Sequence, residues 1–278
     1  MRFALFGLHR GSSVDPEVLA RRARLAEDAG FEALWVGDHV ALPFDAPDAA
    51  VQPRLEAVIA LTYLAALTRR VRLGVGVIVL PQRQPVLLAK QLASLDVLSG
   101  GRLTVGIGVG YVDRELRALG ASLADRAART DEYLAAMRAL WDEPVPAFEG
   151  RFVSFAEVVE RPRPVQRPHP PIVIGGHSPA AYRRAVTAGN GWYGWDLGVE
   201  ETAAALAALR EAAERHGRPA ELGDLEITIT PKGTPDADTV RRYEEVGVHR
   251  LAVQPHTMDG DEIERVIATV GETLIGRA

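Results

Sequence analysis

The run FEALWVGDHVALP, residues 31–43, puts an acid and an imidazole, Asp38 and His39, directly after an apolar stretch that ends on Gly37. Imidazole titrates near neutrality, so a histidine in such a place can give a proton to a ligand or take one from it. It can equally be a plain loop residue. Asp38 can orient the ring or cap the loop. A second stretch, IVIGGHSPAAYRRA (172–185), runs from an apolar strand through Gly175, Gly176, His177 and Ser178 into a proline and a helix. Backbone N–H groups at a helix start attract anions, and glycine lets a phosphate come close. The bland alternative is an ordinary strand–helix turn. In LGVGV (73–77) two glycines interrupt a β-branched apolar run. That suits a bulge, a ligand lying against the backbone, or simple packing. GIGVG (106–110) lacks the full spacing of a dinucleotide fingerprint.

These residues need elements to position them. Strand-like runs are Phe3–Gly7, Ala33–Gly37, Val71–Val79, Leu103–Gly108, Pro171–Gly175, Gly191–Trp195, Leu225–Thr230 and Arg250–Gln254. Helical patterns alternate with them over Pro16–Ala29, Pro53–Thr68, Pro85–Leu98, Arg126–Leu140, Pro179–Ala188, Glu200–His216, Ala237–Val246 and Asp261–Thr273. Asp15-Pro16 and Ser178-Pro179 read as an N-cap followed by proline at the first helical position. Runs such as VRLGVGVIV and PPIVIGG are apolar throughout, the mark of parallel strands covered on both faces. Eight such units in 278 residues predict an α/β fold, a single (β/α)8 barrel over residues 1–278, with a doubly wound open sheet as the competitor. The rhythm breaks after Gly110. About fifteen residues with no assigned element precede the next helix, EGRFVSF (149–155) reads as a hairpin, and RPRPVQRPHPP (161–171) as an extended proline-rich connector.

In a barrel of this kind chemistry collects at the C-terminal ends of the strands. His9, His39, His177, His256 and Lys232 all fall at that predicted rim, with Gln82, Tyr111 and Trp195-Asp196. Composition narrows the classes of function. The net charge is −5, so nothing argues for a nucleic-acid footprint. All basic residues but Lys90 and Lys232 are arginine. There is no cysteine, which excludes disulfides, thiolate metal sites and a thiol nucleophile. The N-terminal apolar run is too short for a secretion signal and no run is long enough to span a bilayer, so the expected location is cytoplasmic, with no membrane partner.

Together the stretches AEDAGFEALWVGDHVALP (26–43), RVRLGVGVIVLPQRQPVLLAKQLASLDVLSGGRLTVGIGVGYVDRELRALG (70–120), RTDEYLAAMRALW (129–141) and PHPPIVIGGHSPAAYRRAVTAGNGW (168–192) resemble the luciferase-like monooxygenase superfamily, in particular its branch using coenzyme F420. The resemblance implies a TIM barrel with an insertion around strands four and five and a deazaflavin or flavin across its mouth. It makes His39 the imidazole near the ring, the acid/base of that branch, with Asp38 beside it. It places a bulge, often with a non-prolyl cis peptide, at Gly76–Val77 behind the ring. Gly108, Val109, Gly110 and Tyr111 match the segment lining the cofactor, and Gly175, Gly176 and His177 the phosphate-side loop. Tyr111 stands where relatives often carry tryptophan or an acid. No cluster of basic residues suited to a sugar phosphate is visible, which argues against a sugar-phosphate dehydrogenase. The implied function is hydride transfer between F420 and a small organic substrate, by a homodimer without a metal. The alternatives are an FMN-dependent monooxygenase and a non-enzymatic flavin-binding barrel, in which His39 would be packed away with no room above the ring.

Overall fold

The computed structural model describes residues 1–47, 52–257 and 259–276. Its strands are β1 (Arg2–Phe6), β2 (Ala33–Val36), β3 (Arg72–Val75), β4 (Ile78–Val79), β5 (Leu103–Gly108), β6 (Phe148–Glu149), β7 (Ser154–Phe155), β8 (Ile172–Gly175), β9 (Gly191–Leu197), β10 (Glu226–Pro231) and β11 (Arg250–Val253). Its α-helices are α1 (Pro16–Asp28), α2 (Ala57–Leu67), α3 (Pro85–Ser99), α4 (Asp113–Ala118), α5 (Arg126–Asp142), α6 (Pro179–Ala188), α7 (Val199–His216), α8 (Ala237–Val246) and α9 (Gly260–Val270).

One sheet runs β3-β2-β1-β11-β10-β9-β8-β5-β4, and a further pairing of β3 with β5 closes it. Every pairing in it is parallel. β3 and β4 are two pieces of one stave, so the result is an eight-stave barrel wrapped by helices. The open-sheet alternative is thereby excluded. Each stave buries both faces, which is why its sequence is apolar without alternation. Leu34, Leu73, Ile107 and Ile174 face the helices. Ala4, Phe6, Ala33, Trp35, Val173, Tyr193 and Ala252, joined by Val77, fill the barrel interior.

The expected single strand over 71–79 is broken. Gly74 pairs with Thr104 and Ile78 with Ile107, so four steps along one chain face three along the other. The extra residue is a bulge, and the Gly76–Val77 peptide within it is cis. Val77 is turned into the barrel, against backbone that must be bare. A Cβ at Gly108 would overlap Val77 Cγ2, and one at Gly175 would come within 2.7 Å of Val77 Cγ1. Gly74 is bare because Trp35 lies 2.5 Å from where its Cβ would be. Packing against Trp35 and Val77 therefore accounts for much of the glycine pattern.

Between β5 and β8 lies the insertion: α4, α5, the antiparallel hairpin β6–β7 and the proline-rich connector. Asp96 of α3 ties the connector down, accepting hydrogen bonds from the N–H groups of Val165 and Gln166 and from the Gln166 amide. Two expectations shift. α2 starts at Ala57, four residues later than expected, because Arg54 is held in a β-bridge to Arg10 and Glu56 caps the helix through Ile59 N–H. Residues 113–118, to which the sequence assigns no element, form α4.

Candidate active site

The C-terminal ends of the staves surround a cavity of about 630 Å³. Asp38, His39, Gly76, Val77, Gly108, Val109, Gly110, Tyr111, Gly175, Gly176 and His177 all line it. They come from four segments far apart in the chain. Of the other rim candidates, His9 and Trp195 line the cavity. Lys232 is instead paired with Glu201 on the surface, and His256 is exposed beyond β11.

His39 is about one-quarter exposed, and its Nδ1 lies 2.9 Å from Oε2 of the buried Glu115. The other carboxylate oxygen of Glu115 accepts the N–H groups of Val40 at 2.6 Å and Ala41 at 3.0 Å. Burial alone would push the Glu115 carboxyl up. The hydrogen bonds from His39, Ala41 and Val40 outweigh it and hold the group below its ordinary value. A carboxylate that only accepts fixes the tautomer: Nδ1 carries a proton and Nε2 is the ring nitrogen left for a ligand. The Tyr111 ring stands perpendicular to His39, centroids 6.1 Å apart, and is itself largely exposed.

Asp38 does not orient His39. Its carboxylate is buried and turned to Arg83, accepting from the guanidinium through both oxygens and from Val79 N–H at 3.0 Å. Burial pushes its carboxyl up and Arg83 opposes this. Because every neighbour donates and none accepts, the satisfied form is the carboxylate. Asp38 thus locks the end of β2 to β4 and to the turn before α3, and so holds the backbone that carries His39.

Across the mouth, the Ser178 side chain caps α6 through Ala181 N–H, and Gly176 has φ +116°, a conformation that favours glycine. His177 accepts Trp195 N–H at its Nε2, and burial lowers its basicity, so it is a neutral ring with Nδ1–H as a donor. Arg126, the first residue of α5, also lines this side. A cation at the positive end of a helix dipole is unfavourable by itself, and an anion between the starts of α5 and α6 would reverse that.

Four residues of the site escape the sequence pattern: Glu115, Arg10, Arg54 and Arg126. The three arginines come from separate segments and line one cavity, Arg10 and Arg54 on the two sides of the β-bridge between the loop after β1 and the segment before α2, and Arg126 at the start of α5. Sequence separation hid this grouping. Glu115 sits in a stretch to which the sequence assigns no element, although DRELRALG carries an Asp113–Arg117 pair at helical spacing.

Residues 1–262 match the family model described as luciferase-like monooxygenase, and the chain belongs to that family. It is 33% identical over 244 residues to an uncharacterised Mycobacterium tuberculosis protein, with 82% of this chain and 84% of that protein covered. It is 28% identical to the FMNH(2)-dependent dimethylsulfone monooxygenase of Pseudomonas putida, over 78% of this chain and 59% of that one. An F420-dependent secondary alcohol dehydrogenase, solved in complex with an F420-acetone adduct, superposes over 100% of this chain and 99% of its own with TM-score 0.81 at 17% identity, a likeness of fold. Among the described residues, no helix is long and apolar enough to cross a membrane.

Proposed function

We propose that the protein is an F420-dependent oxidoreductase that moves a hydride between the deazaflavin and a small organic substrate. The observation that carries this reading is the His39–Glu115 pair, with Nδ1 committed to a carboxylate and Nε2 left for a ligand at the cavity. The cavity suits a flat heterocycle with an anionic tail. Bare backbone at Gly76, Gly108 and Gly175 lines it, and the starts of α5 and α6 with Arg126 offer an anion site at one side. When bound, F420 supplies a two-electron centre that gives or takes a hydride. The chain's own residues do the rest. His39 takes a proton from, or returns it to, the substrate oxygen or nitrogen at Nε2, while Glu115 fixes the ring and its tautomer. Asp38 and Arg83 hold the loop, and Gly175, Gly176, His177 and Arg126 hold the tail.

The second reading is an FMN-dependent monooxygenase, supported by the FMNH(2)-dependent relative. A non-enzymatic barrel fits less well, because His39 is partly exposed beside an open cavity. Titrating the purified protein with F420 and with FMN decides among these. Binding of F420 at least about tenfold tighter than FMN is expected, and tighter FMN binding moves the assignment to the second reading. The expected assembly is a homodimer in the cytoplasm. Ile59 and Tyr63 on α2 and Leu87 and Leu98 on α3 form an exposed apolar face. Light scattering that gives the mass of a single 30.0 kDa chain would overturn the dimer.

A further inference from the structure

β1 and β8 stand four staves apart whichever way the ring is followed, so the loops after them face each other across the mouth. The side after β8 is the anion site already described. The side after β1 and β2 is built differently. The loop after β1 is zipped to the segment before α2 by Leu55 N–H to His9 carbonyl at 2.8 Å, Gly11 N–H to Pro53 carbonyl at 3.0 Å and the Arg10–Arg54 bridge. This puts two arginines on one wall of the cavity. Both are close enough to His9 to add to the burial that lowers its basicity. Each also has partners elsewhere in the protein, and a guanidinium with five N–H donors can serve a ligand as well.

Among the described residues lining the cavity, the only acid is Asp38, which Arg83 already satisfies. Phe6 of β1 adds an aromatic face to that wall, and the ring of Trp195 reaches it from β9. Phe6 and Trp195 meet edge to face at 4.9 Å, and Trp195 is 39% exposed at the cavity. His39 stands on the same side, after β2.

We infer that the β1–β2 side of the mouth is the substrate subsite, and that it takes a small flat molecule bearing a carboxylate, held by Arg10 and Arg54 with its body against Phe6 and Trp195. Arginine pairs with a carboxylate through two parallel hydrogen bonds, which gives both affinity and orientation. An anchored carboxylate would bring the rest of the molecule under His39. The inference rests on the cofactor reading above, since it assigns the tail of the cofactor to the opposite side.

The test uses benzoate, benzamide and acetate as probes, titrated calorimetrically into the full-length protein with and without saturating F420. Benzoate is expected to bind at least about tenfold tighter than either other probe. Arg10→Gln and Arg54→Gln should each abolish the preference over benzamide and leave F420 affinity within about twofold. Arg10→Lys should keep part of the preference. Thermal melting screens each variant for folding, and either arginine alone suffices for the comparison. Equal binding of benzoate and benzamide overturns the charge assignment, and equal binding of benzoate and acetate overturns the flat body. A loss of F420 affinity in Arg10→Gln overturns the division of the mouth. If F420 does not bind while benzoate is still preferred, the cofactor assignment fails and the carboxylate subsite stands.

Discussion

Nδ1 of His39 lies 2.9 Å from Oε2 of Glu115, which joins the loop after β2 to the helix α4 that follows β5. The same carboxylate accepts two backbone N–H groups of the His39 loop. One side chain from the insertion therefore sets both the path of that loop and the tautomer of its histidine.

His39→Ala should lower turnover by roughly 10²–10⁴-fold, the usual size of a general acid/base contribution. Stability should fall by only about 1–2 kcal/mol, because Glu115 keeps its two backbone donors. Single-turnover kinetics and thermal melting on the same variant check this. A variant that melts early yet keeps its rate per folded molecule would remove His39 from the chemistry.

Glu115→Ala strips the acceptor from His39, Val40 and Ala41 together. A stability loss of about 3 kcal/mol is expected, against about 1 kcal/mol for Glu115→Gln, which keeps an acceptor. The sign with pH follows from the carboxyl being held below its ordinary 4.5 in the folded state. Its stabilisation is present above that value and is lost as pH falls through the lower, folded-state value. Denaturant melts below pH 4.5 should thus be flatter for Glu115→Gln than for the natural protein. Identical slopes would mean that the pair contributes nothing to acid stability.

His9 makes the opposite kind of demand. It is buried, its Nε2 accepts Gly37 N–H at 3.2 Å, and burial with the nearby Arg10 and Arg54 pushes its pKa from 6.5 to about 3. The folded state binds it neutral, so its contribution is complete above pH 6.5 and declines as pH falls toward 3. Between pH 7 and pH 5 this amounts to about 2 kcal/mol. His9→Gln keeps an acceptor for Gly37 and drops the titration. Its stability should change less over that interval, and an unchanged pH dependence would contradict the assignment.

Gly108→Ala should cost about 1–3 kcal/mol through overlap with Val77 Cγ2. Adding Val77→Ala should recover most of that loss, because the clash has one partner. A double-mutant cycle reads the coupling directly. Additive losses would show that Gly108 is bare for some other reason.

Much of the fold was legible before any coordinates. Apolar runs such as Val71–Val79 and Pro171–Gly175 read as parallel staves, and the number of strands and helices favoured a barrel over an open sheet. The eleven site positions expected from local motifs and from the family resemblance line one cavity, because each lies at a stave end or in its bulge. Glu115 was not legible. Its significance depends on a contact 76 positions away, and the six-residue α4 is too short to leave a strong periodic signal. Arg10, Arg54 and Arg126 look like ordinary members of an arginine-rich chain until the ring closes. Lys232 and His256 show the converse, rim positions that do not line the cavity.

The four-against-three spacing between β3–β4 and β5 has a consequence for insertions and deletions in this chain. Side chains alternate faces along a strand, so the extra residue acts as a frame shift within the stave. Upstream of it Val75 belongs to the layer under the helices; downstream, Ile78 returns to that layer and Val79 lines the mouth. Removing one residue from 75–77 would restore a regular three-against-three ladder and leave Ile78 and Val79 facing as they do now. The stave could still pair with β5, but it would turn one residue inward where the bulge now turns two, Gly76 and Val77, toward the cavity. At this one place the length of the chain, more than the identity of its residues, decides which side chains a ligand meets.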